Sequence, residues 1–115
     1  MLPRAEAVER GSMIVKYIAE RKLLFSEKGD QTTKEVVIRI SEPFIATEEN
    51  SSFPVDGVAS GCHVEIEGLD EPGYDLYGMD SLQAINLASN IEPLIERLSD
   101  KYDFFWRTGE PYFEE

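Results

Sequence analysis

The sequence of 115 residues carries 11 Lys and Arg against 23 Asp and Glu, a net charge of -12. This length suits one domain on the usual scale of roughly 100 to 200 residues, and the 42% apolar content is typical of a globular chain. Nucleic acid and anionic lipid need a basic surface, so the charge disfavours both as ligands. A basic protein partner would instead be attracted.

The N-terminal residues 1–12 differ from the rest of the chain. Gly11 and Ser12 directly precede a second methionine, Met13, as at a tag junction or an alternative start. We therefore expect one folded domain over residues 13–115. No apolar run reaches the roughly 18 residues of a membrane span, no signal-like apolar stretch is present, and the single cysteine, Cys62, allows no internal disulfide. These features predict a cytoplasmic protein without a membrane partner.

Alternating apolar residues predict two strands in the first half of the chain. Residues 16–25 form the first, with a bulge or an exposed end expected where Arg21 breaks the alternation, and residues 35–40 form the second. The polar residues 28–31 between them include Gly29 and predict a turn, so the two strands should form a hairpin. Pro43 should end the pairing because proline donates no backbone hydrogen bond.

Residues 47–59 read as the longest loop, and two further strands follow it. After Gly61, Cys62, Val64 and Ile66 alternate with His63, Glu65 and Glu67, which predicts one apolar and one polar face. The segment 70–73 contains a Pro-Gly pair and predicts a tight turn. Residues 74–79 should then pair antiparallel with the third strand.

From Asp80 the apolar period changes from 2 to about 3.6, which predicts an amphipathic helix. Its buried stripe should consist of Leu82, Ile85, Ala88, Ile91, Ile95 and Leu98. Asp80 and Gln83 have the spacing of a capping box. Pro93 lies inside the apolar pattern and should kink or restart the helix between Ser89 and Pro93.

The C-terminal tail is rich in aromatic residues: Phe104, Phe105, Trp106, Tyr112 and Phe113. It predicts a fifth strand at 104–107 or an extended segment packed under the helix, with an exposed aromatic anchor for a partner as the alternative. The whole pattern predicts an α+β fold, in which one kinked C-terminal helix covers one face of an antiparallel sheet of four or five strands. A homodimer would be one way to bury the second face.

The run 77–84, which contains Gly78, Asp80 and Gln83, resembles the strand-to-helix junction G-x-D-S-L-Q-A of a family of short bacterial proteins of unknown function. In physical terms Gly78 permits close packing or an unusual dihedral, Asp80 caps the helix, and Leu82 begins the buried stripe. Pro93 departs from the uninterrupted helix that the resemblance implies. The resemblance implies no substrate, cofactor or partner.

The sequence offers little material for catalysis. Cys62 and His63 are adjacent on a strand and should point to opposite faces, so they do not form a nucleophile and base pair. We expect Cys62 in the core and His63 in solvent. One Cys and one His do not complete a usual zinc site, and the acidic residues lack the spacing of a calcium loop, so no metal or cofactor is predicted.

Five carboxylates cluster on the third and fourth strands and their turn, and we expect them to form an exposed patch: Glu65, Glu67, Asp70, Glu71 and Asp75. One interpretation of this patch is a solvated surface that only keeps the protein soluble, and the other is a binding face. As a binding face it predicts a non-catalytic interaction protein, for example an immunity-type or antitoxin-like neutraliser of a basic partner. The loop 47–59 would then close over the partner. The alternative is a small enzyme or ligand carrier that uses His63 and the carboxylates near it.

Overall fold

The computed structural model describes residues 7–10, 13–47 and 59–113. These residues form strands and two helices in the order β1 (Ala7–Arg10), β2 (Met13–Glu27), β3 (Lys34–Ser41), β4 (Phe44–Ala46), β5 (Ala59–Glu67), β6 (Tyr74–Gly78), α1 (Ser81–Ser89), α2 (Glu92–Leu98) and β7 (Tyr102–Phe105). The predicted α+β class is confirmed. No helix among the described residues is long and apolar enough to cross a membrane.

Six strands, β2 to β7, form one antiparallel sheet whose main order is β7-β2-β3-β5-β6. The short strand β4 pairs with the first residues of β5. The prediction of four or five strands is therefore too low. The pairing of β3 ends at Ser41, just before Pro43, but the chain re-enters the sheet at Phe44 as β4. This strand was not predicted because three residues are too few to show an alternating pattern.

The segment expected to be a leader contains β1, which pairs antiparallel with residues 13–16 of β2. Most of the loop predicted at 47–59 lies outside the described residues, and β5 already begins at Ala59. The predicted β2–β3 and β5–β6 pairs are confirmed as antiparallel. The strand expected at 104–107 is confirmed as β7, two residues earlier, and it pairs with the end of β2.

The predicted interruption of the C-terminal helix is observed. Helix α1 ends at Ser89, α2 begins at Glu92, and Pro93 lies in the first turn of α2, where its missing N–H removes no helical bond. The amide of Ile91 donates to the carbonyl of Ser89 between the two helices. The chain therefore bends there and both helices still contribute to one core.

The core lies between the helices and one face of the sheet, which we call the inner face. The sheet contributes Leu23, Phe25, Val36, Ile38, Ile40, Cys62, Val64, Ile66 and Phe104, and the helices contribute Ala84, Ala88, Ile91, Leu94, Ile95 and Leu98. Leu82 is the exception to the predicted stripe, because its side chain is 76% exposed. It lies in the first turn of α1, two residues before the first buried helical residue, Ala84, and two residues rotate a side chain by roughly 200° around the helix axis.

The bulge of β2 lies nearer the N-terminus than predicted. The pairing register with β3 shifts between Tyr17 and Ala19, and not at Arg21. The extra residue reverses the side on which the preceding residues point. Tyr17 therefore leaves the face that carries Leu23, and its hydroxyl donates to Glu65.

The tail folds back on β7 and does not extend into solvent. The amide of Gly109 donates to the carbonyl of Trp106, and the amide of Tyr112 donates to the carbonyl of Phe104. The rings of Trp106 and Tyr112 lie 4.8 Å apart, and the Arg21 guanidinium lies 5.6 Å from the Trp106 ring centre. Trp106 nevertheless remains 40% exposed.

Candidate functional site

The face of the sheet opposite the helices, which we call the outer face, carries most of the polar side chains of β5. Alternation on β5 places His63, Glu65 and Glu67 there because Cys62, Val64 and Ile66 belong to the core. Asp75 of β6 lies directly across from His63. The fold thus places the imidazole of His63 near the carboxylates of Glu65 and Asp75, which follow it in sequence by two and twelve residues.

His63 is buried between two carboxylates. Its Nδ1 lies 2.6 Å from Asp75 Oδ1, and its Nε2 lies 2.9 Å from Glu65 Oε2. The residue is only 4% exposed, so the prediction of a solvated histidine is wrong. A neutral imidazole carries one N–H, so both contacts are hydrogen bonds to carboxylate only when both ring nitrogens are protonated.

The backbone around His63 holds the imidazole in place. The amide of His63 donates to Ser41 Oγ at 2.8 Å, and the Ser41 hydroxyl donates to the carbonyl of Glu42. Directly before β6, a Cβ at Gly73 would lie 2.9 Å from His63 Nε2 and 2.6 Å from the carbonyl oxygen of Val64. The missing side chain of Gly73 therefore leaves the space that the imidazole occupies.

Two tyrosines complete the arrangement, which we call the His63 cluster (Tyr17, His63, Glu65, Asp75 and Tyr77). The Tyr17 hydroxyl donates to Glu65 Oε2 and the Tyr77 hydroxyl donates to Asp75 Oδ2, each at 3.3 Å. The Tyr77 ring also makes an edge contact with Phe44. The two carboxylates are thus each held by the imidazole and by one phenol.

Arg39 of β3 lies beside the cluster and joins three strands. Its guanidinium donates to Glu20 Oε1 on β2 at 3.3 Å and to Glu67 Oε2 on β5 at 3.1 Å. Burial alone would lower the pKa of Arg39, but the hydrogen bonds and charges of Glu67 and Glu20 outweigh it and raise that pKa. Glu20 Oε2 is buried without a hydrogen-bond partner among the described residues, since the Lys22 ammonium is 3.7 Å away.

The diagonal pairing of Arg39 with Glu67 has a physical reason. In the β3–β5 register Arg39 lies directly opposite Glu65, whereas Glu67 lies opposite Val37. Glu65 Oε2 already accepts hydrogen bonds from Tyr17 and His63. Arg39 therefore reaches past the nearest carboxylate to the next one on the same face.

The five carboxylates predicted as one exposed patch fall into two groups. Glu65 and Glu67 are open to solvent, with side chains 39% and 65% exposed, and Asp70 is exposed in the β5–β6 turn. The side chains of Asp75 and Glu71 are only 17% and 10% exposed, so the prediction that they are exposed is wrong. Asp75 is buried against the imidazole, and Glu71 lies 3.8 Å from the Arg97 guanidinium and 3.6 Å from the Lys101 ammonium.

Cys62 lies on the inner face and is fully buried, as predicted. Its thiol donates to the carbonyl of Ser41 at 2.9 Å. Burial raises the pKa of the Cys62 thiol, which disfavours the thiolate that nucleophilic chemistry needs. The thiol and the imidazole of His63 lie on opposite faces of the sheet, so the structure does not bring them together.

The strand-to-helix junction lies at the end of β6. Asp80 Oδ1 accepts from the amide of Gln83 at 2.9 Å, and Gln83 Oε1 accepts from the amide of Met79 at 2.6 Å. A Cβ at Gly78 would lie 2.8 Å from the amide nitrogen of Ala84. Gly78 thus lets β6 approach α1 closely, and the Gln83 side chain caps the residue before the helix cap.

Among the described residues, no group of three His, Cys, Asp or Glu side chains is placed to hold a metal ion. Comparison of the sequence with protein-family models found no match, and comparisons with curated proteins and with solved structures found none either. The functional argument therefore depends on the geometry of the His63 cluster and of the carboxylates around it.

Sequence reasoning found part of this site. Glu65, Glu67 and Asp75 follow from alternation and from the short β5–β6 turn, which fixes the register of Asp75 opposite His63. Tyr17 and Arg39 were missed. Tyr17 reaches the site only because of the bulge, and Arg39 only because β3 pairs with β5, a pairing that no local signal in the sequence indicates.

Proposed function

We propose that this chain is a non-catalytic binding protein that takes a basic protein partner on the outer face of its sheet, with Glu65 and Glu67 as principal contacts. The observation that carries the proposal is the fixed and partly exposed carboxylate of Glu65. It is held by Tyr17 and His63 through Oε2 alone, and Oε1 receives no hydrogen bond from the described residues. A cationic side chain can therefore bind Oε1 without displacing either donor.

Rigidity of these carboxylates supports binding. Ordering a flexible side chain costs about 0.5 to 1.5 kcal/mol when a complex forms. Glu65 is held by two donors and Glu67 by Arg39, so much of that cost is met in the free protein. The carboxylates of Glu65 and Glu67 are two acceptors on alternate residues of β5. This spacing favours a partner that presents two basic groups.

The overall charge supports the same partner class. A net charge of -12 on 115 residues attracts cationic proteins over distances of about the screening length, roughly 10 Å at 0.1 M salt. Such steering raises the association rate more than the final affinity. In its finer form the proposal is an immunity-type or antitoxin-like role in the bacterial cytoplasm, in which the protein masks the basic surface of a toxic partner.

The alternative of a small enzyme or ligand carrier assigns proton transfer to His63. A general base needs a ring nitrogen with a free lone pair that the substrate can reach. Both ring nitrogens of His63 face carboxylate oxygens, and the residue is 4% exposed. This geometry favours a role in which His63 holds the carboxylates in position over one in which it moves a proton.

Charge reversal on the outer face tests the proposal. Glu65→Lys with Glu67→Lys is compared with Glu96→Lys with Glu110→Lys, which makes the same change in net charge at exposed positions of α2 and the tail. Both variants and the wild type serve as bait in lysate of the source organism, at low and at high salt. We expect basic proteins to be retained by the wild type and the control pair, and lost with the first pair. Identical partner sets for the two double variants would contradict the proposal.

A further inference from the structure

The only histidine of the chain lies against one of the carboxylates that the proposed function uses. His63 Nε2 is 2.9 Å from Glu65 Oε2, and His63 Nδ1 is 2.6 Å from Asp75 Oδ1. When both ring nitrogens carry a proton, the imidazolium is a positive charge buried between two negative charges. Glu65 then has a counterion from its own chain, and a cation of the partner is a second counterion for the same carboxylate.

The two carboxylates proposed as principal contacts differ in their internal counterions. Glu67 accepts a hydrogen bond from Arg39 at 3.1 Å, and arginine stays charged at any physiological pH. The counterion of Glu65 is His63, and histidine ordinarily changes its charge between pH 5 and 8. Of the two counterions, the one beside Glu65 is therefore the one that a small change in pH can remove.

The groups around the imidazole assign a pH dependence in this range to His63. Ordinary carboxyl groups titrate near pH 4, and phenols and guanidinium groups titrate above pH 9, so histidine is the residue type here that changes charge between pH 5 and 8. Within the described part of the chain, the titratable and charged groups on the strands around the imidazole are Tyr17 of β2, Arg39 of β3, Glu65 of β5, and Asp75 and Tyr77 of β6.

The two carboxylates beside His63 differ in their access to water, and this difference decides which nitrogen loses its proton. The Asp75 side chain is 17% exposed and the Glu65 side chain is 39% exposed. A buried carboxylate without a donor is less stable than one that water can solvate. Nδ1 therefore keeps its proton toward Asp75, and Nε2 loses its proton past Glu65 to the solvent. Glu65 keeps the hydroxyl of Tyr17 as a donor and loses the positive charge of the imidazole.

We propose that binding of a basic partner at Glu65 is coupled to release of the Nε2 proton of His63, so that the outer face binds cations more tightly at pH 8 than at pH 5. A cation on Glu65 Oε1 would lie roughly 5 to 8 Å from the imidazole, where two positive charges repel each other. The proton goes to the solvent and not to a substrate. The net charge of the complex is unchanged, because the ammonium of the partner replaces the positive charge that leaves. This inference rests on the proposed function, since it describes regulation of the same carboxylate.

Loss of the proton has two opposite effects on binding, and the repulsion is the larger. Glu65 loses one of its two donors and with it part of its rigidity, but the Tyr17 hydroxyl still holds Oε2. Coupling between two binding events is typically about 5- to 150-fold, and the partial exposure of Glu65 places this case at the low end, about fivefold. Because coupling is reciprocal, a bound cation should lower the midpoint of the imidazole titration by about 0.7 pH unit.

The test uses the full chain and the peptide acetyl-Lys-Gly-Lys-amide, which has two ammonium groups on alternate residues. The same peptide with both lysines acetylated is the neutral control. NMR of the imidazole nitrogens follows His63 directly, because the chain has one histidine. We expect the lysine peptide, at saturating concentration, to lower the titration midpoint by about 0.7 pH unit and to bind about fivefold more tightly at pH 8 than at pH 5. The acetylated peptide should do neither.

Two variants with the same change in charge locate the effect. Glu65→Gln should abolish the change of midpoint that the lysine peptide causes, whereas Glu96→Gln, an exposed change on α2, should retain it. His63→Gln should bind the lysine peptide equally at pH 5 and pH 8. If this last variant does not fold, the wild-type titration and the comparison of Glu65→Gln with Glu96→Gln still decide.

The results separate this coupling from the proposed function. A midpoint that does not move with the lysine peptide, or that moves equally with both peptides, would overturn the coupling. If the midpoint moves as expected while the double charge reversal at Glu65 and Glu67 removes no basic partner from the lysate, the proposed function fails and the coupling of cations to His63 stands. If the midpoint does not move while the charge reversal still removes basic partners, the coupling fails by itself.

Discussion

The two faces of β5 show two different ways of burying a strand. On the inner face Cys62 and Val64 are fully buried among apolar neighbours. On the outer face His63, which lies between them in sequence, is buried to almost the same extent, but its neighbours are carboxylates, phenols and a glycine. The same alternation thus produces one buried surface stabilised by the hydrophobic effect and another stabilised by matched polar groups.

The difference matters because the two surfaces tolerate change differently. Loss of an apolar side chain from the inner face leaves a cavity, and its cost grows with the volume removed. Loss of one partner from the outer face leaves charged groups without donors, so its cost depends on the partners that remain. Function is more readily built on the outer face, because its carboxylates are held rigidly and are still partly exposed.

The largest effect is expected on the inner face. Leu23→Ala removes a fully buried side chain of β2 and should lower the free energy of unfolding by about 3 kcal/mol. Leu82→Ala is the matched control, since Leu82 is 76% exposed, and it should change stability by less than about 0.5 kcal/mol. Urea unfolding followed by the fluorescence of Trp106 measures both. Similar losses in the two variants would show that Leu82 is packed in the core and is not exposed.

A smaller loss is expected on the outer face. His63→Leu keeps a similar volume but removes both ring nitrogens, and it should cost about 2 kcal/mol because Glu65 and Asp75 lose their shared partner. In a background with Glu65→Gln and Asp75→Asn, the same change should cost at least about 1 kcal/mol less, since no charge is then left unpaired. An equal cost in both backgrounds would mean that His63 contributes packing alone.

Local signals predicted much of the fold. Alternation located β2, β3, β5 and β6, and Pro93 located the break between α1 and α2, because each depends on residues close in sequence. Leu82 was misplaced because the buried face of α1 is defined by Ala84 and Ala88, and Leu82 lies roughly 200° around the helix axis from Ala84. The three residues of β4 are too few to show any alternation.

The candidate site was harder to predict because its contacts are not local. Alternation correctly placed His63 on the outer face and then suggested solvent, since polar residues on that face are usually wet. Its burial depends on Asp75 across the β5–β6 pair, on the bare backbone of Gly73 and on neighbouring strands that alternation does not identify. Position on a face follows from the sequence, whereas the degree of burial follows from the tertiary structure.

The smallest expected effect is on the pH dependence of stability, and it comes from the buried thiol of Cys62 on the inner face. Burial raises the pKa of the Cys62 thiol above its ordinary value of 9.0, so the folded state holds that proton more tightly than the unfolded state. The resulting stabilisation is fully present below pH 9 and is lost as the pH rises through the folded-state pKa. Cys62→Ala has no such proton, and it should be less stable than the wild type at pH 7 because it leaves a small cavity. The difference in unfolding free energy between the wild type and Cys62→Ala should narrow as the pH rises above 9. The difference between the wild type and Leu23→Ala should stay constant over the same range. Urea unfolding from pH 7 to 10.5 measures both differences, and a constant difference for Cys62→Ala would show that the thiol contributes packing without a linked proton.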